Sequence, residues 1–306
     1  MNRNIVQSYK NKLAAESGYV VDRRAALRIA LCYPNTHGIG MANLGLHTMY
    51  ELFNGIPDVS CERVFLPDDN ELKEYEKSRT PLLSLETQTP VRDFDVVAFS
   101  ISFETDYLNM ARMLHLSGIP VWSKDRNHFH PLIVMGGAAS FLNPEPIAEF
   151  TDVIAVGEGE ILAYQLIDAI LENESKNDVL ISLARIGRGF YVPSFYDVIY
   201  NDDGTVFDYL PNQDGVPRRV GRALAAVNPK EGTLRRALKR GQDELAEFLI
   251  NQDVFCPSTS VWSPDAEMGD RLLVEISRGC SQGCRFCWAG YNYYPPRVVP
   301  AKDILA

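Results

Sequence analysis

Between residues 25 and 174 short apolar runs alternate with amphipathic stretches, and this alternation constrains the fold more than any other feature of the chain. ALRIALCYP, CERVFLP, FDVVAFSIS, PLIVMGG and DVIAVGEGE each have the length and β-branched content of a buried strand. Between them, MANLGLHTMYELFNG, DDNELKEYEKS and YLNMARMLHLSG carry helical periodicity, and ILAYQLIDAILENE follows the last run. Strands alternating with helices require crossovers, and crossovers place the strands parallel. Residues 25–174 are therefore expected to form a flavodoxin-like, doubly wound parallel α/β sheet, preceded by a polar lead segment over 1–24. The loops NTHGIG, SISFETD, GGAASFLNPEP and GEGE then share one rim, the place where such sheets bind ligands.

The texture changes after residue 174. RGFYVPSFYDVIYNDDGTVFDYLP alternates around Asp203 and Gly204, the signature of a hairpin. An amphipathic helix is predicted over 229–252, with Leu234, Leu238, Leu245, Phe248 and Leu249 on its apolar side. CPSTSVWSPDAEMGD reads as a linker wrapping this small β connector, which spans 175–270. From residue 271, LLVEIS reads as a buried strand that opens into RGCSQGCRFCWAG.

That last stretch holds Cys280, Cys284 and Cys287, three of the six cysteines of the chain. Zinc sites favour two paired knuckles, and all five histidines lie in the first half. A disulfide framework fits poorly with so sparse a cysteine content, and the polar N-terminus is no signal peptide. Short cysteine runs at the end of a strand hold iron–sulfur clusters, and three thiolates leave one iron of a four-iron cluster open. Cys32, Cys61 and Cys256 read as buried thiols outside this set.

The C-x-x-x-C-x-x-C spacing with Phe286 before the last cysteine resembles the radical S-adenosylmethionine superfamily. VFLPDDNE, PLLSLET, FDVVAFSISFET, GGAASFLNPEP, VGEGE and RGCSQGCRFCWAG, in this order, resemble an uncharacterised subgroup of it. AGYNYYPPR is similar to that subgroup's A-G-x-x-Y-R-P-x-R pattern, with Tyr294 in place of the arginine. The resemblance implies a 4Fe-4S cluster on Cys280, Cys284 and Cys287 and S-adenosylmethionine on the open iron, with Phe286 against its adenine. It further implies an electron donor such as flavodoxin or ferredoxin, and a 5′-deoxyadenosyl radical as the reactive species. The cluster loop would follow the first strand of a TIM-like barrel. Nineteen residues follow Cys287 (306 − 287 = 19), and a full barrel takes about 200 or more, so 271–306 is expected to hold only the barrel's start, the parent protein to be a radical S-adenosylmethionine enzyme, and this chain to be inactive alone.

Asn35, His37 and Gly40 are spaced N-x-H-x-x-G after the first strand, similar to the D-x-H-x-x-G of flavodoxin-like cobalamin-binding domains. The resemblance implies a cobalamin rim of Asn35, His37, Gly40, Gly136 and Gly137, with His37 either the lower cobalt ligand or a polar loop residue. An amide at position 35 would orient a ligating imidazole more weakly than a carboxylate. Glu158 and Glu160 read either as an acid/base pair or as acids favoured by a helix dipole. With cobalamin, methyl transfer to an unactivated carbon is implied. The alternative is a non-catalytic cobalamin-type binding or docking module with a vestigial cysteine motif. A third reading, RNA modification, needs a basic surface that a net charge of −10 does not suggest. No apolar run reaches the roughly 20 residues that span a bilayer, and the chain is expected in the cytoplasm.

Overall fold

A computed structural model describes residues 2–225 and 256–305; the helix predicted over 229–252 lies outside the described residues. The chain divides into two compact units, Met1–Leu224 with Ser260–Asp270, and Ala225–Thr259 with Arg271–Ala306.

The first unit is built on a six-stranded sheet of β1 (Leu27–Tyr33), β2 (Val59–Phe65), β3 (Val96–Ser100), β4 (Leu132–Gly136), β5 (Val153–Ala155) and β6 (Phe190–Tyr191). Their order is β2-β1-β3-β4-β5-β6. The first five are parallel and β6 runs antiparallel to β5. The expected α/β sheet is thus present. β2, β3 and nearly all of β1 are buried, which requires cover on both faces. The cover comes from α1 (Arg3–Ala15), the single-turn α2 (His37–Gly40), α3 (Leu44–Gly55), α4 (Asp69–Ser78), α5 (Tyr107–Leu116), α6 (Gly159–Glu172) and α7 (Lys176–Arg185).

Side chains placed by the sequence start several of these helices. Asn2, Asn43 and Ser175 cap α1, α3 and α7, and Asp68 with Glu71 forms a reciprocal capping box on α4. Each cap is worth about 1 kcal/mol. The lead segment is more than a polar tail, because Ile5 and Tyr9 of α1 enter the core. The Tyr9 hydroxyl meets that of Tyr75 on α4 at 3.1 Å.

The compact unit runs past the expected boundary at residue 174. β5 would otherwise present an open edge, and β6 covers it. The first residue of α7, Lys176, reaches back to Asp152 at 2.6 Å and to the Pro131 carbonyl at 3.2 Å. Beyond β6, β7 (Tyr196–Tyr200) and β8 (Val206–Pro211) form the hairpin expected around Asp203 and Gly204.

The stretch expected to wrap the connector departs from that reading. Within the first unit, Ser260–Asp270 lies against the N-terminal segment and the β1 loop. Ser17 and Trp262 exchange backbone hydrogen bonds of 3.1 and 2.9 Å, and the Glu267 amide donates to the Gly38 carbonyl at 2.9 Å. Val261 is buried, which supplies the reason the segment adheres.

In the second unit β9 (Ser277–Arg278) pairs with β10 (Arg297–Val298), and short helices cover Trp288–Asn292 and Ala301–Ile304. LLVEIS, expected as a buried strand, pairs through the Ser258–Val274 bridge, with flanking backbone hydrogen bonds from Thr259 to Leu273 and from Glu275 to Pro257, and contributes Ser277 to a two-residue ladder. Leu272 and Ile276 are 58% and 63% exposed. An apolar run becomes a buried strand only where neighbours pair its edges and cover its faces, and no barrel sheet exists among the described residues.

Gly137, at the end of β4, has φ +99°, and a Cβ there would lie 2.5 Å from the Ile101 carbonyl oxygen and 2.7 Å from its nitrogen. Both left-handed strain and a backbone clash oppose any side chain. Gly137→Ala is expected to lower unfolding free energy by about 1–3 kcal/mol, read as a lower urea midpoint; an unchanged midpoint would contradict the close approach.

Candidate functional site at the strand-order reversal

The chain leaves β1 for β2 on one side and returns to β3 on the other, so strand order reverses between β1 and β3. In sheets of this kind loops diverge at such a point, and ligands bind there, at the carboxyl ends of the strands. There the sequence supplies polar, uncharged side chains around one acid. Asn43, the α3 cap, donates from Nδ2 to the Ser102 hydroxyl at 3.2 Å and to the Tyr33 hydroxyl at 3.4 Å. Asn35 donates from Nδ2 to Asp106 Oδ1 at 3.3 Å, and its Oδ1 accepts the Thr36 amide at 2.9 Å. Asn109 donates to the same Asp106 oxygen at 3.4 Å and to the Pro34 carbonyl at 2.9 Å.

Asp106 is 3% exposed, and its second oxygen, Oδ2, is buried without a hydrogen-bond partner. Burial pushes its carboxyl up from the ordinary range, against the pull of the Asn109 and Asn35 donors. Tyr33 is likewise pushed up, first by burial and then by the nearby acid, against its hydrogen bond to Ser102.

Of the rim residues suggested by the sequence, Asn35 belongs to this cluster. His37 and Gly40 belong to a different arrangement underneath. His37 is buried, its Nε2 lies 2.8 Å from Glu16 Oε1, and its ring stands edge-on to Phe65 at 5.0 Å. Glu16 Oε2 accepts from Arg63 Nη2 at 2.6 Å, and Arg63 Nε donates to Glu86 Oε1 at 2.6 Å. The Arg63 backbone amide also donates to Glu86, at 2.7 Å. All four side chains are buried. Gly40 packs under the Phe65 and Tyr33 rings. Gly136 and Gly137 end β4, where the Gly136 carbonyl accepts the Ile101 amide at 2.9 Å. Glu158 and Glu160 are both buried at the start of α6.

The three motif cysteines lie in the second unit, on the loop between β9 and the helix Trp288–Asn292. Arg278 opens this loop and forks onto Glu275 at 2.7 and 2.6 Å. Inside it the Cys287 amide donates to the Cys284 carbonyl at 3.0 Å. Cys284 is exposed, Cys280 and Cys287 are half-buried, and Phe286 is 92% exposed. Three thiols in eight positions are a suitable donor set for an iron–sulfur cluster. Among the described residues, however, no three histidine, cysteine, aspartate or glutamate side chains are gathered closely enough to hold a metal ion. Cys32 and Cys61 are buried, with their thiols pushed up by burial, and Cys256 is half-buried.

Sequence reasoning missed Asp106, Asn43, Ser102 and the Glu16–Arg63–Glu86 chain. Two signals were available: the charged pair Glu62–Arg63 inside a strand, and an acid immediately before a helix at the rim.

Residues 45–193, from the start of α3 to just past β6, match the family model described as the N-terminal region of radical SAM proteins. That span supports a relationship to the radical SAM superfamily and contains neither the β1 loop nor the cysteine run. Over 279 residues, 90% of its length, the chain is 25% identical to an uncharacterised protein of Methanocaldococcus jannaschii. It spans 44% of the length of that relative. No solved structure matches. No helix among the described residues is long and apolar enough to cross a membrane.

The buried ions set two predictions. Arg63→Met leaves Glu16 and Glu86 without their cation and is expected to cost about 3–5 kcal/mol, measured by urea unfolding at pH 7; a loss under 1 kcal/mol, the scale of surface pairs, would contradict it. Burial pushes the Glu16 carboxyl up, but the His37 hydrogen bond and the Arg63 charge outweigh it and hold it below the ordinary range. A carboxyl lowered by folding contributes stability above its unfolded pKa of about 4.3 and loses it as pH falls through the folded value. The penalty of Glu16→Gln should therefore be larger at pH 7 than at pH 3.5, and a penalty that grows on acidification would reverse the sign.

Proposed function

We propose that this chain is part of a radical S-adenosylmethionine iron–sulfur protein, with the parallel sheet as its N-terminal module and Cys280, Cys284 and Cys287 as the cluster ligands. The observation that carries this reading is the pairing of two independent features in one chain. The family match lies wholly within the first unit, at residues 45–193, and the cysteine run lies in the second. A bound 4Fe-4S cluster supplies one-electron cleavage of S-adenosylmethionine to a 5′-deoxyadenosyl radical, with an electron donor such as flavodoxin or ferredoxin.

In this reading the protein's own residues hold and orient. Cys284, exposed on the loop, is accessible to incoming iron, while Cys280 and Cys287 flank it from half-buried positions. Gly279, at φ +84°, lets the loop backbone run close to the Tyr293 carbonyl, where a Cβ would clash. Phe286 presents an open aromatic face for the adenine. His37 is engaged by Glu16, so we assign it an anchoring role and not that of a cobalt ligand. A corrinoid at the Asn35, Gly136 and Gly137 rim would then be held by shape and hydrogen bonds, without a histidine below the metal.

That no three candidate ligands are gathered among the described residues favours one second reading, a docking or binding module whose cysteine motif is vestigial. Iron stoichiometry decides between the two. Anaerobically reconstituted wild-type chain is expected to hold about four irons, and Cys284→Ala to fall to background while the circular dichroism and unfolding midpoint of the sheet unit stay unchanged. Equal iron in both proteins would contradict the ligand assignment, and background iron in both would favour the docking module.

A further inference from the structure

Ser260–Asp270 is a strap held on the sheet unit by few contacts, and one of them depends on the charge of a buried side chain. Ser17 and Trp262 exchange backbone hydrogen bonds, the Glu267 amide donates to the Gly38 carbonyl, and Val261 and Ser263 are buried. Trp262, Pro264, Asp265 and the stretch 267–270 are exposed. A segment with so little buried surface opens locally at a smaller cost than the strands beneath it. Thr259 and Arg271, which flank the strap, belong to the second unit, so what holds the strap also holds the chain that leads to Cys280.

The buried side chain is His47 of α3, which is 2% exposed. Its Nε2 lies 3.0 Å from the Met41 carbonyl, and its Nδ1 lies 3.4 Å from both the Val261 amide and the Ser260 hydroxyl. A carbonyl only accepts and an amide only donates, so Nε2 carries the proton, Nδ1 is bare, and the ring is neutral. A proton on Nδ1 would face the Val261 N–H, leave that buried amide without its acceptor, and place a charge out of reach of water. Burial lowers the pKa of His47, and the Arg63 charge from β2 acts the same way, against the pull of the Met41 carbonyl and of Glu16. Glu16 and Arg63 are themselves engaged by His37 and Glu86. Glu51 stands one turn further along α3, and the strap's own acids, Asp265, Glu267 and Asp270, are exposed.

We propose that Ser260–Asp270 is a pH-sensitive strap, latched onto the sheet unit by neutral His47 and released when the imidazole takes a proton. With the strap released, His47 titrates near the ordinary value of about 6.5, and with the strap seated it titrates lower. The seated state therefore has its full advantage above that pH and loses it on acidification, by at most about tenfold in population per pH unit. The neighbouring carboxyls do not mimic this. Burial pushes Glu86 and Glu51 up, so their protonation firms the fold as pH falls, and Glu16, held below the ordinary range, acts only at lower pH. The latch uses none of the cysteines, so it stands or falls separately from the cluster assignment.

The test is amide hydrogen exchange of the full chain, read by mass spectrometry at about pH 7.5 and 5.5 and corrected for the intrinsic pH dependence of exchange. Peptides covering 260–263 are expected to lose protection about threefold or more at the lower pH, while peptides from β1 and β3 keep theirs. In His47→Asn the amide oxygen can stand in for the bare Nδ1 but does not titrate, so the strap's protection should be the same at both pH values. Should that variant fail to fold, His37→Gln decides the matter, because it removes the other buried histidine and should retain the wild-type loss. Strap protection that is unchanged in the wild type, a loss shared equally by β1 and β3, a loss that His47→Asn retains, or one that His37→Gln abolishes overturns the proposal.

Discussion

The structure depends on the burial of Arg63 in the middle of β2. A guanidinium that is 1% exposed on a strand covered on both faces must be met by charge, and it is met twice. Glu16 arrives from just after α1 and Glu86 from the loop before β3, each at 2.6 Å. Glu16 then holds His37 at the first turn after β1. One cation therefore ties the lead segment, an edge strand and the β1 loop into a single arrangement. A buried pair is weak evidence of net stability, since apolar replacements of equal volume often do as well. Its physical effect here is on position, because the N-terminal segment cannot move without stranding a buried charge, and the β1 loop cannot move without breaking the buried His37–Glu16 contact.

That anchoring defines what the rim can do. With His37 turned to Glu16, the loop after β1 presents Asn35 at the rim and keeps its imidazole below. His47, on α3, is used in the same inward way. Its Nε2 lies 3.0 Å from the Met41 carbonyl, and its Nδ1 lies 3.4 Å from the Val261 amide. The segment leading toward the cysteine run is thereby attached to the β1 side of the sheet unit. Burial lowers the pKa of His47, which keeps the imidazole neutral and able to accept at Nδ1.

Much of this fold was legible in the sequence because hydrophobic periodicity is a local signal. All five parallel strands and the helices between them fall where the apolar runs place them, and Asp203-Gly204 marks its hairpin. What was not legible depends on long-range partners. Nothing local tells that Phe190–Tyr191 will close the edge of β5, or that Val261 and Trp262 will return to Ser17 across some 240 residues of sequence. LLVEIS shows the converse, a strand-like run whose Leu272 and Ile276 stay exposed, with no barrel sheet among the described residues to cover them. At the rim, Asn35 was visible as part of a spaced motif, whereas Asp106 becomes informative only once its oxygen is seen buried and unpaired. The family likeness at residues 45–193 reflects the same sheet unit and reaches neither the β1 loop nor the cysteines.

Whether the three cysteines build an open-iron cluster is tested most directly by electron paramagnetic resonance of the reduced, reconstituted chain with and without S-adenosylmethionine. A reduced four-iron signal whose g-values shift when S-adenosylmethionine is added is the expected result. A cluster signal that S-adenosylmethionine leaves unchanged, or no cluster signal at all, would contradict it.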